Sequence, residues 1–288
     1  MRILVTGHTG LLGTELVPVL AAAGHQVHGC SLPDHDITEP ASARQAVDGC
    51  RAELVIHAAA WTAVDACEAD PDRAYRVNAL GTRNMVLAAR EAGAAFAFIS
   101  TDYVFDGTKH EPYLEYDPTN PTSAYGRSKW AGEQYVRYLH DRYYIVRSAW
   151  LFGAGGPCFP ETILRLLREK DGVDVVTDQI GNPTWAGDLS LAIARIVTSG
   201  LHGTYHAVNS GPTSWYEFAR EVARTFGYPS GVVRPTTSEH FVRPAPRPAY
   251  SALRNFVLEQ SLDYRMRPWL ETLPEYAAST GGRFMESA

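Results

Sequence analysis

MRILVTGHTGLLG, residues 1–13, opens the chain, and its reading decides the fold. Arg2–Thr6 is a short apolar run, suited to a strand buried on both faces. Gly7, Gly10 and Gly13 follow, and Leu11–Ala23 then reads as a helix that stops at Gly24. Glycine permits positive φ in a tight turn and lets a pyrophosphate approach the backbone. The free N–H groups and the dipole of the helix favour that anion. The turn, with His8, Thr9, Leu11 and Leu12 between its glycines, is expected to hold the pyrophosphate of a dinucleotide.

The same alternation continues outward. His25–Cys30, Glu53–Ala58, Ala94–Ser100 and Tyr143–Arg147 read as strands. Ala41–Asp48, Pro71–Ala92 and residues 124–142 read as helices between them. Such βαβ units predict a Rossmann-type, doubly wound parallel sheet, with ligand loops along one edge. The second half is more irregular. Helical patterns persist at 160–170, 187–199 and 214–226, but Pro244, Pro246 and Pro248 exclude a helix or central strand there. A dinucleotide-binding domain over 1–150 is expected, with a smaller, irregular substrate-binding lobe over 151–288. Some lobe segments are expected to return to the first domain.

Composition narrows the function. The 26 Lys and Arg against 32 Asp and Glu leave 288 residues with a net charge of −6, which argues against a nucleic-acid footprint. No run reaches the roughly 18 apolar residues of a membrane span. The cysteines at 30, 50, 67 and 158 form no CxxC pair, so no metal cluster is expected. A soluble, cytoplasmic protein with reduced thiols is expected.

The nucleotide's ribose end is read from the second strand. A carboxylate there would select NAD. His28-Gly29-Cys30-Ser31 supplies none, and no Lys or Arg lies between Thr14 and Ala43. The balance leans to NADPH, with NADH open. Asp36 and Ile37 either flank the adenine or form the turn into the next helix.

A second constellation lies at Asn120-Pro121-Thr122-Ser123-Ala124-Tyr125-Gly126-Arg127-Ser128-Lys129. Pro121, Thr122 and Ser123 mark a helix start. Tyr125 then falls in its first turn, with Lys129 one turn on and on the same face. An ammonium about 4 Å from the phenol would favour the phenolate by up to about 4 kcal/mol at an effective dielectric of about 20. Such a tyrosine can protonate a carbonyl oxygen that is receiving hydride. Ser100 and Thr101, at the end of the fourth strand, place a hydroxyl within reach of the same oxygen.

The glycine turn, STDYVFDG (100–107) and YGRSKWAGE (125–133) together resemble the extended short-chain dehydrogenase/reductases. HAAAWTAVDACE (57–68), RSAWLFG (147–153), DQIGNPTWAGDL (178–189), GTYHAVNSGPTSWYEFA (203–219) and RPAPRPAYS (243–251) narrow the likeness to the dTDP-4-dehydrorhamnose reductase family. The resemblance implies NAD(P)H-dependent reduction of the 4-keto group of a dTDP-linked 4-keto-6-deoxyhexose. It implies Thr101, Tyr125 and Lys129 as catalytic residues, with Tyr125 the acid and Lys129 holding the nicotinamide ribose. Ala58, Ala59, Ala60 and Thr62 would line the cofactor. Val64, Tyr103, Phe105, Trp150 and Arg247 would join Thr101 and Tyr125 around the sugar nucleotide.

Some positions depart from the family pattern: Ala66 and Cys67 before Glu68, Cys158, Pro246 before Arg247, and Tyr250. These changes put the sugar in question rather than the reaction. Some relatives bridge a dimer with magnesium through glutamates. Glu15 matches one of those positions, but Asp188 stands near another, so no metal is carried over and monomer or homodimer is left open. A dehydratase would need a second acid after Asp102, where Tyr103 stands. An epimerase would retain NAD, and a regulatory subunit would not need the Tyr–Lys pair. A dihydrostreptose-type 4-ketoreductase shares every motif.

Overall fold

A computed structural model describes residues 1–281; positions 282–288 of the expected lobe lie outside the described residues. The first half runs β1 (Arg2–Thr6), α1 (Gly13–Ala22), β2 (Gln26–Cys30), α2 (Pro40–Cys50), β3 (Leu54–His57), α3 (Val64–Ala69), α4 (Pro71–Tyr75), α5 (Gly81–Glu91), β4 (Ala95–Thr101), α6 (Ala124–Leu139) and β5 (Tyr143–Ser148). The second half adds β6 (Leu151–Phe152), α7 (Phe159–Glu169), β7 (Val173–Val176), β8 (Ile180–Gly181), β9 (Thr184–Trp185), α8 (Ala186–Thr198) and β10 (Gly203–His206). It closes with β11 (Thr213–Ser214), α9 (Trp215–Thr225), β12 (Val233–Thr236), α10 (Phe256–Leu262) and α11 (Leu273–Ser279).

Six strands form one parallel sheet in the order β2-β1-β3-β4-β5-β10. Alternation along β1 explains why its sequence is apolar throughout. Ile3 and Val5 enter a core with Leu16 of α1 and Ile193 of α8, whereas Leu4 enters another with Val47 of α2 and Met85 of α5. With both faces covered, Ile3 to Thr6 are each buried by one layer or the other. The chain leaves β1 for β2 and then crosses to β3 on the far side of β1. That reversal is the switch point at which such sheets bind ligands, beyond the carboxyl ends of the strands.

The second half does not stay apart. β10 pairs with β5, α8 packs on α1, and α10 packs on β10. What remains forms a lobe. There β7 and β12 pair in parallel, and α7 and α9 pack together around Phe218, Trp269 and Tyr276.

One irregularity shapes the site. The expected helix Pro71–Ala92 is α4 and α5 joined by a π-helical stretch, Arg76–Leu80. Within it Asn78 accepts from the Trp61 N–H at 2.7 Å and donates to the Trp61 carbonyl at 3.0 Å and to Ser128 at 3.0 Å. The widened turn thus pins the loop after β3 against α6.

Candidate active site

The glycine turn joins the ends of β1, β2 and β3. Gly7 takes φ +69° and its N–H donates to Cys30 O at 2.7 Å. A Cβ on Gly7 would stand 2.9 Å from Ala59 N, and one on Gly13 would run into the Gly7 carbonyl and His8. The backbone can close here only without side chains, which leaves a bare cradle at the amino end of α1. His8 Nδ1 lies 2.9 Å from Ser31 Oγ, and Thr9 Oγ1 donates to that oxygen at 3.3 Å. Ala58, Ala59 and Ala60 line the adjacent end of β3, half-buried, and Thr62 is exposed beyond them. These residues fit a dinucleotide's pyrophosphate and ribose.

The expected anion contact runs through backbone N–H groups, and the side chains at this end of the site are engaged in packing and turns. The Leu12 side chain is in the core with Leu16 and Leu20, and Leu11 packs against the aromatic lobe. Ile37 is buried against the Gly81 position, and Asp36 accepts twice from Thr38 at 2.8 Å. That pair is the turn into α2, one of its two expected readings.

β4 and α6 build the second half of the site. Ser123 caps α6 by accepting from the Gly126 N–H at 3.1 Å. A Cβ on Gly126 would overlap the Tyr103 carbonyl, so only glycine lets α6 lie this close to the end of β4. Tyr125 is half-buried there, with Tyr103 edge-on at 5.9 Å. Burial, then the charge of Asp102, push the Tyr125 phenol above its ordinary range, while a hydrogen bond with Thr101 pulls it back.

Lys129 is anchored to the strand beneath it. Its ammonium donates to Ile99 O at 2.7 Å and sits 4.1 Å from the centre of the Phe98 ring. Burial lowers it to about 7, partly offset by Glu133. At the Tyr125 phenol, burial and the charge of Asp102 outweigh the hydrogen bond with Thr101. In the free chain the phenol is therefore held protonated.

Asp102 was no candidate in the sequence, although STD places it directly after Thr101. It accepts from Thr101 at 3.0 Å and from Ser251 of the lobe at 2.6 Å. Burial raises it to about 6 against those hydrogen bonds. Its spacing in the motif was a local signal; its link to Ser251 was not.

The substrate-side candidates divide. Tyr103 faces Tyr125, and Val64 begins α3 nearby. Trp150 has φ +44° and stacks on Trp215 at 3.5 Å, part of the lobe's aromatic surface. Arg247 pairs with Asp65 at 2.9 Å. Phe105 is a correction: it is wholly buried, stacked on Tyr113 at 4.2 Å and capped by Arg147, so it supports the site from within the core. Among the described residues no group of three or more His, Cys, Asp or Glu is placed to hold a metal, and no helix is long and apolar enough to cross a membrane. Arg267 engages both oxygens of Asp188 at 2.8 and 2.9 Å.

A switch-point glycine turn, with a Thr at the end of β4 and a Tyr and Lys on the helix packed against it, defines the class: a Rossmann-type extended short-chain dehydrogenase/reductase. Within it, the family model described as RmlD substrate binding domain matches residues 1–281, and the chain belongs to that family. It is similar to the dTDP-4-dehydrorhamnose reductase of Streptomyces griseus, 43% identical over 98% of this chain and 95% of that one. It is similar also to the dTDP-4-keto-6-deoxy-D-glucose reductase of Streptomyces niveus, 38% identical over 95% and 96%. The crystal structure of dTDP-4-dehydrorhamnose reductase from Bacillus anthracis in complex with NADP superposes with a TM-score of 0.93 at 38% identity, covering 96% of this chain and 98% of that one.

Proposed function

We propose that the chain reduces the 4-keto group of a dTDP-linked 6-deoxyhexose, dTDP-4-dehydrorhamnose first among them, with NADPH as reductant. The observation that carries this reading is the meeting of Thr101 and Tyr125, with Lys129 behind them, one strand away from the glycine cradle. NADPH, held by Gly7–Gly13 and the Ala58–Ala60 edge, supplies the hydride when bound. The chain supplies position and the proton. Thr101 binds the ketone oxygen and orients it toward Tyr125. The Tyr125 O–H donates its proton to that oxygen as charge develops; a phenol held protonated at neutral pH is in the state this direction requires. Lys129 holds the nicotinamide ribose and returns a proton to the phenolate from solvent. The sugar's diphosphate is held by Arg247, since guanidinium binds such groups bidentately. The four cysteines are free thiols, in keeping with a cytoplasmic enzyme.

The test is NADPH absorbance after mixing the protein with dTDP-4-keto-6-deoxyglucose, with and without a 3,5-epimerase. Oxidation that needs the epimerase supports the rhamnose-type substrate. Oxidation without it points to a 4-keto-6-deoxyglucose reductase, as the Streptomyces niveus relative is named. No oxidation in either mixture, with NADH also tried, overturns the reading.

A further inference from the structure

Helix α3 carries a carboxylate that the mechanism above leaves unused. Asp65 lies in its first turn, directly after the loop that continues from Ala58–Ala60. Three donors from one short segment of the lobe converge on it. Arg247 Nη2 lies 2.9 Å from Asp65 Oδ1, and the Ala245 N–H donates to the same oxygen at 3.3 Å. Arg243 Nη1 lies 3.6 Å from Oδ2. Arg247 Nη1 also donates to the Ala245 carbonyl at 3.0 Å, closing the turn on itself.

The two arginines are not equivalent. The Arg247 side chain is 17% exposed and that of Arg243 is 50% exposed. Arg247 also acts electrostatically on the Tyr103 hydroxyl, as does Asp65, and Tyr103 stands against Tyr125. The same helix reaches the catalytic helix. Glu68 accepts from the Ala124 N–H at 2.7 Å and lies 3.6 Å from Arg127. A six-residue helix thereby ties the lobe segment to the start of α6.

The geometry points to Asp65 as the positioning residue for Arg247, fixing its guanidinium at the mouth of the site for a nucleoside diphosphate. The inference rests on the sugar-nucleotide reading above. Pro244, Pro246 and Pro248 stiffen the backbone of the segment. They leave the long arginine stem free, and only a partner at its head can hold the fork in one plane. Asp65 and the Ala245 carbonyl occupy part of that fork, and its other N–H groups are left for a ligand. One carboxylate set against Arg243 and Arg247 keeps the local charge positive, as a diphosphate requires.

The experiment uses the full-length chain as wild type, Asp65→Asn, Arg247→Ala and the double variant. Each is titrated calorimetrically with dTDP in saturating NADP+, and with NADP+ alone, and assayed for KM and kcat. Asp65→Asn is expected to weaken dTDP and raise the KM for the sugar nucleotide about tenfold, with kcat and NADP+ affinity changed less than twofold. On the Arg247→Ala background the same substitution should cost nothing further, because its effect runs through that arginine. Asp65→Ser, which offers no amide in place of the carboxylate, should follow the same order. Unchanged or tighter dTDP binding by Asp65→Asn, losses that multiply in the double variant, or an equal loss of NADP+ each overturn the assignment. Wild type that binds NADP+ but no dTDP overturns the sugar-nucleotide reading and this inference with it. Wild type that binds both, with Asp65→Asn its equal, overturns the role of Asp65 alone.

Discussion

Asp102 and Lys129 are buried titratable groups and Tyr125 is half-buried beside them, and burial moves each toward its neutral form. The consequences for stability have opposite signs. Asp102 is raised from 3.8 to about 6, so the folded chain holds its proton more tightly than the unfolded one. Its contribution is complete below about pH 4 and is lost as pH rises through about 6, by at most about 3 kcal/mol. Lys129 is lowered from 10.5 to about 7, so the unfolded chain binds more protons between those values. Stability from this site therefore rises with pH from about 7 toward 10. Urea midpoints of the nucleotide-free chain should show both slopes. Asp102→Asn should flatten the acid one and Lys129→Met the alkaline one; a variant that keeps its slope disproves the assignment of that group. Catalysis gives a separate check on Tyr125. Tyr125→Phe keeps the ring against Tyr103 and removes only the proton donor. Turnover should fall by about 10²- to 10⁴-fold, the scale of general acid catalysis, with NADPH affinity unchanged. Near-normal turnover would end the proposed role.

At the scale of elements, Gly126 decides whether α6 can deliver Tyr125 to the end of β4. A methyl group there overlaps the Tyr103 carbonyl, which is backbone and cannot swing aside. Gly126→Ala must therefore lift the first turn of α6. Its turnover should drop at least tenfold while NADPH, held mainly at the β1 turn, binds within a few-fold of wild type. Equal losses of both would show that the helix start and the cradle move as one. The sequence displayed this element well, because its signals are local: Pro121 and Ser123 at the start, Tyr125 and Lys129 one turn apart. The glycine turn and β1 to β5 were legible for the same reason: the signals are local, with Gly24 and Gly93 stopping the helices before β2 and β4 and apolar runs marking β1, β3 and β4. β10 was not. GTYH is four residues long with a polar alternation, and only its pairing with β5 makes it a strand. The site was legible where one motif held all its members. Phe105 reads like a pocket aromatic beside Thr101, yet it is sealed under Arg147 from the next strand. The bond between Ala245 and Asp65 spans 180 residues, and no local pattern announces it.

Across the whole molecule, one buried ion pair fastens the catalytic helix to the strand edge supplied by the second half. Glu133 of α6 accepts from Ser100 of β4 at 2.7 Å and from Arg147 of β5 through two nitrogens at 2.8 Å each. Arg137 adds a further contact at 3.1 Å. Burial drives the Glu133 carboxyl upward, but Arg147, by charge and hydrogen bonds, and then Arg137 outweigh it and hold it below its usual range. On its other side Arg147 approaches His206 of β10 at 3.4 Å. The Glu115 carboxylate, in the loop before α6, accepts from the His206 N–H and, in α10, the Val257 N–H, each at 3.0 Å. Such a pair costs much to desolvate and contributes little net stability, yet breaking it leaves a guanidinium buried alone. Glu133→Gln should therefore lose about 3–5 kcal/mol, a large part of an ordinary domain's stability. Glu133→Leu combined with Arg147→Met, which removes both charges of the pair together, should recover most of that loss. Turnover should separate the two effects. The double variant removes the carboxylate that keeps Lys129 partly charged, so it is expected to be stable and slow, with its alkaline stability slope shifted to lower pH. If it is instead stable and fully active, the pair serves the fold alone and Lys129 does not depend on it.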